Sequence, residues 1–265
     1  MTALDVRLRQ AEQYFIPFIM AGDPSLEVTK RILRLLQEEG AAAIELGVPF
    51  SDPMADGPVI QTASERALEN GVTLKDVLRL GEELHAEGFH TPLILFTYFN
   101  PVLHHGLEAL VEDAKASGFA GLIVPDLPHE ESAPLRRIGN RCAFPIIPLV
   151  TPTSKERIEQ IVAEAEGFVY CVSSLGTTGM RQYFADDVEA FLDTVRAASP
   201  VPTAVGFGIS TGAHVRRFRR HADAVVVGSA LVGKIEECRS DLLDPNRIDH
   251  ALASLTRFVR QLKSE

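Results

Sequence analysis

Eight short apolar runs recur along this chain, each followed by a longer segment whose apolar residues return every three or four positions. The runs fall at 14–21, 42–46, 92–97, 120–124, 144–150, 167–172, 201–206 and 223–228, and each predicts a strand. Amphipathic segments at 26–39, 74–88, 107–117, 155–166, 188–198 and 213–221 predict helices between them. Thr153 with Ser154, and Ser210 with Thr211, mark helix starts, while Gly40 and Gly118 mark stops. The runs IIPLV, FVYCV and AVVVG are continuously apolar, which suits strands of a parallel sheet covered by helices on its outer face. Repeated strand–helix units without a low-complexity linker predict a single α/β domain over 1–265, a (β/α)8 TIM barrel. Extra helices are expected at 5–12 near the N-terminus, at 61–69 after strand 2 and at 247–262 near the C-terminus. An open, doubly wound sheet is the alternative.

Charge narrows the partners. Lys and Arg total 26 against 36 Asp and Glu, a formal net charge of −10, which lacks the basic footprint of nucleic-acid binding. Arg216, Arg217, Arg219 and Arg220 form a short basic run that reads as a solvated helix face. A small anionic substrate stays compatible, because a few local donors outweigh distant, screened charge. No apolar stretch reaches membrane-spanning length, and the opening MTALDVRLRQAEQ lacks a signal peptide's apolar centre. Cys142, Cys171 and Cys238 are widely spaced and form neither a zinc pattern nor a disulfide framework. The expected compartment is the cytoplasm.

In a barrel of this kind the site is built where strands end and loops begin. Alternation along the second strand sends Ile44 and Leu46 toward the helices and Glu45 toward the interior. A carboxyl there is either a paired structural group or an acid/base whose pKa rises with desolvation. Asp52 and Asp56 lie in the next loop, stiffened by Pro49, Pro53 and Pro58 and turned by Gly47 and Gly57. Each aspartate reads equally as a turn cap. Gly206 and Gly208, then Gly228 and Ser229, sit at the last two strand-to-helix junctions, where backbone N–H groups suit a phosphate. The long segment 173–187, SSLGTTGMRQYFADD, reads as a binding loop or lid, with Gly176 and Gly179 as hinges and Thr178 and Arg181 facing ligand, or else as a surface loop.

Other chemistries find less support. The six lysines, Lys30, Lys75, Lys115, Lys155, Lys234 and Lys263, fall in predicted helices or the tail, which disfavours a Schiff-base aldolase. His104, His105, His129 and His214 read as loop or helix-start residues without metal-ligand spacing, so no metal is expected. A cation held by Asp126 and His129 is the weak alternative. Cys171 reads as core.

Seven segments then carry a resemblance: FIMAGDP at 18–24, ELGVPFSDPMADGPVIQ at 45–61, TYFNP at 97–101, VPDLP at 124–128, GTTG at 176–179, GFGIS at 206–210 and VGSA at 227–230. Together they closely resemble the tryptophan synthase alpha chain family, in that family's order and over essentially the whole chain. The run beginning at Glu45 is highly specific. The resemblance implies a (β/α)8 lyase of tryptophan biosynthesis that cleaves indole-3-glycerol phosphate to indole and glyceraldehyde 3-phosphate. It implies Glu45 as acid/base and Asp56 as second catalytic carboxylate. Phe18, Tyr170, Thr178, Gly179, Gly208, Gly228 and Ser229 become substrate contacts, though Phe18 and Tyr170 also read as core. Pro49, Asp52 and Asn100 match an interface with a beta chain in an α2β2 heterotetramer, whose pyridoxal phosphate belongs to the partner, so no cofactor is expected in this chain. Met20 stands where many members have threonine, and MRQYFADD after GTTG is unusually polar and aromatic. Two other readings stay open: another phosphate-binding barrel enzyme of amino-acid biosynthesis, and a non-catalytic barrel that only activates a beta chain.

Overall fold

The computed structural model describes residues 3–10, 14–172, 188–206 and 208–264. Its strands are β1 (Phe15–Met20), β2 (Ile44–Gly47), β3 (Leu93–Phe96), β4 (Phe119–Ile123), β5 (Leu149–Val150), β6 (Val169–Val172), β7 (Thr203–Gly206) and β8 (Ala224–Val227). They pair in parallel in the order β4-β3-β2-β1-β8-β7-β6-β5. A parallel bridge between Leu122 of β4 and Ile146, three residues before β5, brings the two ends of that order together. There Leu122 N–H donates to the Pro145 carbonyl at 2.9 Å, and Ile147 N–H to the Leu122 carbonyl at 2.8 Å. The curled sheet is thereby closed as a (β/α)8 barrel, as the strand–helix alternation predicts.

Strand alternation divides the apolar residues into two shells. Ile44, Leu46, Leu93, Leu95 and Val205 pack outward against the helices. Ile16, Phe18, Met20, Ile94, Phe96, Ile123, Tyr170, Val172 and Val226 fill the barrel. Leu4 and Leu8, from the helix Ala3–Leu8, join the interior shell beside Ile16, Ala42, Ala43 and Phe168. They stopper the N-terminal end of the barrel, each buried leucine stabilising by roughly 2 kcal/mol.

The fifth strand departs from expectation. The apolar run covers 144–150, yet ladder pairing is confined to Leu149–Val150. Pro145 and Pro148 have no N–H to give, so the earlier part of the run contributes carbonyls and one bridge. The segment predicted at 155–166 opens as a 3-10 turn, Pro152–Arg157, before the helix Ile158–Ala163. The helix expected at 61–69 starts earlier, at Pro58, whose missing N–H is harmless in the first turn. The helices Phe99–His105 and Ala133–Cys142 were not expected, because each is short and carries a proline near its start. His104 and His105 therefore end a helix and do not begin one. The helices Ser229–Glu237 and Arg239–Leu242 follow β8, and Ile248–Ser264 closes the described chain.

Candidate active site

Glu45 sits in β2 opposite Phe18 of β1 and Ile94 of β3, on the interior face that alternation predicts. It is 1% exposed, and its Oε1 has no hydrogen-bond partner among the described residues. Burial holds its carboxyl well above the ordinary carboxylate range, because an ionised group there would lose its hydration among apolar walls. Among the described residues, no cation pairs with it.

Asp56 reaches the same space from the loop that follows β2. The loop folds back on itself, with Asp56 N–H donating to the Pro53 carbonyl at 3.2 Å. The Gln61 side-chain amide donates to the Asp56 carbonyl at 2.8 Å, tying the loop to the helix Pro58–Glu69. The Asp56 carboxyl is 3% exposed and accepts the Tyr98 hydroxyl at 2.8 Å. Burial raises its pKa to about 6, with the Tyr98 hydrogen bond pulling the other way. Tyr98 is itself held far above the usual phenol value by burial and by the facing Asp56, so it stays a donor.

The two carboxyls line a narrow cavity with Phe18, Ile60, Phe96, Tyr170, Gly208, Ile209, Val226, Gly228 and Ser229. Phe18 meets Phe96 edge-on, with ring centroids 5.3 Å apart. Tyr170 is buried, and burial together with Glu45 and Asp56 pushes its hydroxyl well above the phenol range. Its hydroxyl lies so close to Gly206 that a Cβ there would fall 2.2 Å from it. Gly208 adopts a φ of +82°, and Gly228 caps the helix that Ser229 opens. Thr178 and Gly179 lie outside the described residues, as does the whole segment 173–187.

A larger cavity of about 570 Å³ adjoins the loops after β2, β4 and β5 and includes Ala55, Pro125, Leu149 and Val172. Neither Glu45 nor Asp56 is among its lining residues. Asp126 and His129 both line it, but one Asp126 oxygen accepts the Phe99 N–H at 2.8 Å. Among the described residues, no group of three or more His, Cys, Asp or Glu is arranged to hold a metal ion. Every lysine lies in a helix or 3-10 turn, none at a strand end.

Of the proposed interface residues, Asp52 and Asn100 are exposed, whereas Pro49 is buried and presents little surface of its own. Met54 is 83% exposed on the same loop as Asp52, and Leu103 is exposed one helical turn from Asn100. Sequence reading passed over both, and over Tyr98. Tyr98 stands just beyond the end of β3, where the strand-end loops of a barrel build its site.

A family model described as the tryptophan synthase alpha chain matches residues 5–264. The tryptophan synthase alpha chain of Geobacillus stearothermophilus is 50% identical over 248 residues, 94% of this chain and 92% of that one. That of Halalkalibacterium halodurans is 46% identical over 264 residues, 100% of each chain. Tryptophan synthase subunit alpha from Legionella pneumophila superposes with a TM-score of 0.87 at 32% identity, covering 99% of this chain and 97% of that one. A mutant alpha-subunit from Pyrococcus furiosus gives 0.82 at 36% identity, covering 94% and 97%. Matched along nearly its full length in sequence and in barrel geometry, the chain belongs to the tryptophan synthase alpha chain family.

Proposed function

We propose that Glu45 and Asp56 carry out the retro-aldol cleavage of indole-3-glycerol phosphate to indole and glyceraldehyde 3-phosphate. The chain is a carbon–carbon lyase of tryptophan biosynthesis. The observation that carries the residue assignment is the buried Glu45 carboxyl, whose Oε1 meets no partner among the described residues and whose pKa burial raises well above the ordinary carboxylate range, beside a second carboxyl whose pKa is raised to about 6.

The reaction breaks the bond between indole C3 and the hydroxyl-bearing carbon next to it. C3 must first receive a proton, which leaves positive charge on the ring nitrogen. The neighbouring hydroxyl then loses its proton as the carbon–carbon pair returns to the ring, giving neutral indole and the aldehyde. One neutral carboxyl supplies the first proton and, once ionised, accepts the second; Glu45 fits that role. Asp56, ionised above about 6, stabilises the charge at the ring N–H. Two carboxyls with separated ionisations suit these opposed demands.

Phe18, Phe96 and Tyr170 supply apolar walls for the indole, and the N–H groups near Gly208, Gly228 and Ser229 suit the phosphate. Thr178 and Gly179 complete the family's expected contacts. A substrate of this size draws on both the inner cavity and the larger one beside it. For a partner we propose a beta chain in an α2β2 assembly, docking on Asp52 and Asn100 with Met54 and Leu103 as apolar contacts, and itself holding the pyridoxal phosphate. Among the described residues, no helix is long and apolar enough to cross a membrane; the cytoplasm is the compartment proposed. Indole release by the purified chain, alone and with an added beta chain, tests the reading. Indole in either condition supports it, and none in both overturns it.

A further inference from the structure

Ser64 lies in the helix Pro58–Glu69, fully buried, with its hydroxyl aimed away from its own helix. Helical hydroxyls commonly bond back to the carbonyl four residues earlier, as Thr62 does to Pro58 at 2.9 Å. Ser64 instead donates to the Phe50 carbonyl at 2.9 Å and accepts the Phe50 N–H at 2.8 Å. One hydroxyl thus clamps both polar groups of a residue 14 positions away, at the start of the loop that ends in Asp56. The Phe50 ring stacks on Tyr98, with centroids 5.2 Å apart and planes 25° from parallel. Tyr98 in turn holds the Asp56 carboxyl and the Ala55 N–H. Gln61, one turn before Ser64 on the same helix, grips the Asp56 carbonyl. The loop is therefore pinned at both ends by one helix, while its middle, Ser51 to Met54, reaches solvent.

We propose that Ser64 is a positioning residue for the cleavage reaction, setting the Asp56 carboxyl through the Phe50 ring and the Tyr98 hydroxyl. The proposal rests on the assignment of Asp56 above. It goes further by tracing how a serine with no substrate contact controls the carboxyl's direction. Without the clamp, the Phe50 peptide is free to rotate, its ring loses register with Tyr98, and the hydrogen bond on Asp56 lengthens or bends. Hydrogen bonds weaken steeply as alignment fails.

The test is steady-state indole release by full-length Ser64→Ala, Phe50→Leu, Tyr98→Phe, Ser64→Ala/Tyr98→Phe and Asp56→Asn chains across pH. Ser64→Ala is expected to lower kcat near pH 6 by about two- to fivefold, no more than Tyr98→Phe does, with KM within about twofold. Its acid limb should move to higher pH, as in Tyr98→Phe, and the double variant should be no slower than Tyr98→Phe alone. Phe50→Leu keeps the serine clamp and removes only the stacked ring, so it carries the same expectation should Ser64→Ala fold poorly. A serine needed only for stability would lower the unfolding temperature and leave kcat and the acid limb in place. That outcome, or additive losses in the double variant, overturns the proposal. Activity retained by Asp56→Asn would instead overturn the assignment of Asp56 itself.

Discussion

The Tyr98 hydroxyl donates to Asp56 Oδ2 at 2.8 Å and accepts the Ala55 N–H at 3.1 Å, so a single phenol fixes a carboxyl and the peptide beside it. Burial raises the Asp56 pKa to about 6, and the phenol's hydrogen bond opposes that rise by favouring the ionised form. Tyr98→Phe removes the donor and leaves the ring. Asp56 should then ionise at higher pH, moving the acid limb of kcat upward by about half a unit to one unit. The rate loss should be about two- to fivefold near pH 6 and smaller at pH 8, where Asp56 is ionised in both forms. An acid limb that stays in place in a pH–rate profile would dissociate Tyr98 from the chemistry.

Glu45→Gln keeps the shape of the side chain and removes the exchangeable proton. Indole release should fall by about a thousandfold, within the range that acid–base groups supply, while binding of a phosphate ligand stays within a few-fold. Stability supplies an independent reading. Burial holds the folded-state pKa of Glu45 well above the ordinary carboxylate value, so between the two the folded chain keeps a proton that the unfolded chain releases. Stability from this group is complete below the unfolded value and declines as pH rises through that window, by up to about 1.4 kcal/mol per pH unit. The glutamine variant has no such proton, so its unfolding free energy should gain on the parent as pH rises above the ordinary carboxylate range. Denaturant titrations in which the two chains stay parallel over that range would place Glu45 in a normal, charged environment.

How much of this could be read from residues alone differs by the range of the interaction. The inward turn of Glu45 follows from a period of two along one strand, which is local, and the structure agrees with it. The shortened β5 was readable in principle, since Pro145 and Pro148 stand inside the apolar run. The bond between Tyr98 and Asp56 joins residues 42 apart, and no periodicity announces it. The same holds for the clamp of Ser64 on Phe50, because a serine in a helix looks alike whether it bonds backward or outward. Pro49, expected at a partner surface, is buried because its loop folds down toward the barrel mouth before Asp52 emerges. Pattern resolves which face a residue takes; tertiary closure decides what it meets there.

Gly206 makes room for Tyr170. A methyl group there would lie 2.2 Å from the phenolic oxygen, 2.8 Å from Cζ and 3.0 Å from Cε1, distances that force the ring to move. Both residues are on neighbouring strands, Tyr170 pairing with Ala204 in β7, so the backbone has little freedom to yield. Gly206→Ala should destabilise the chain by about 1–3 kcal/mol and displace the ring into the substrate cavity, raising KM more than tenfold. Adding Tyr170→Leu should restore much of the stability without restoring tight binding. Thermal unfolding of the single and double variants decides the point: a double variant no more stable than Gly206→Ala would mean that strain lies elsewhere.

Ser229 separates phosphate binding from fold stability, because one substitution pushes the two in opposite directions. It opens the helix Ser229–Glu237 behind Gly228 and lines the cavity with Gly208. The N–H groups there carry the positive end of the helix dipole, which attracts either a phosphate or a carboxylate side chain. Ser229→Asp installs the carboxylate permanently. The helix should be as stable as before or gain about 0.5 kcal/mol, since acidic groups suit a first turn. A phosphorylated substrate now meets a like charge within a few ångströms in a partly dry site, and its KM should rise about a hundredfold with kcat changed far less. Titration with a phosphate ligand, read by protection against thermal unfolding, should show the same loss of affinity. A variant that still binds phosphate normally would move the anion away from Gly208 and Ser229, and with it the end of the cavity from which the indole is presented to Glu45.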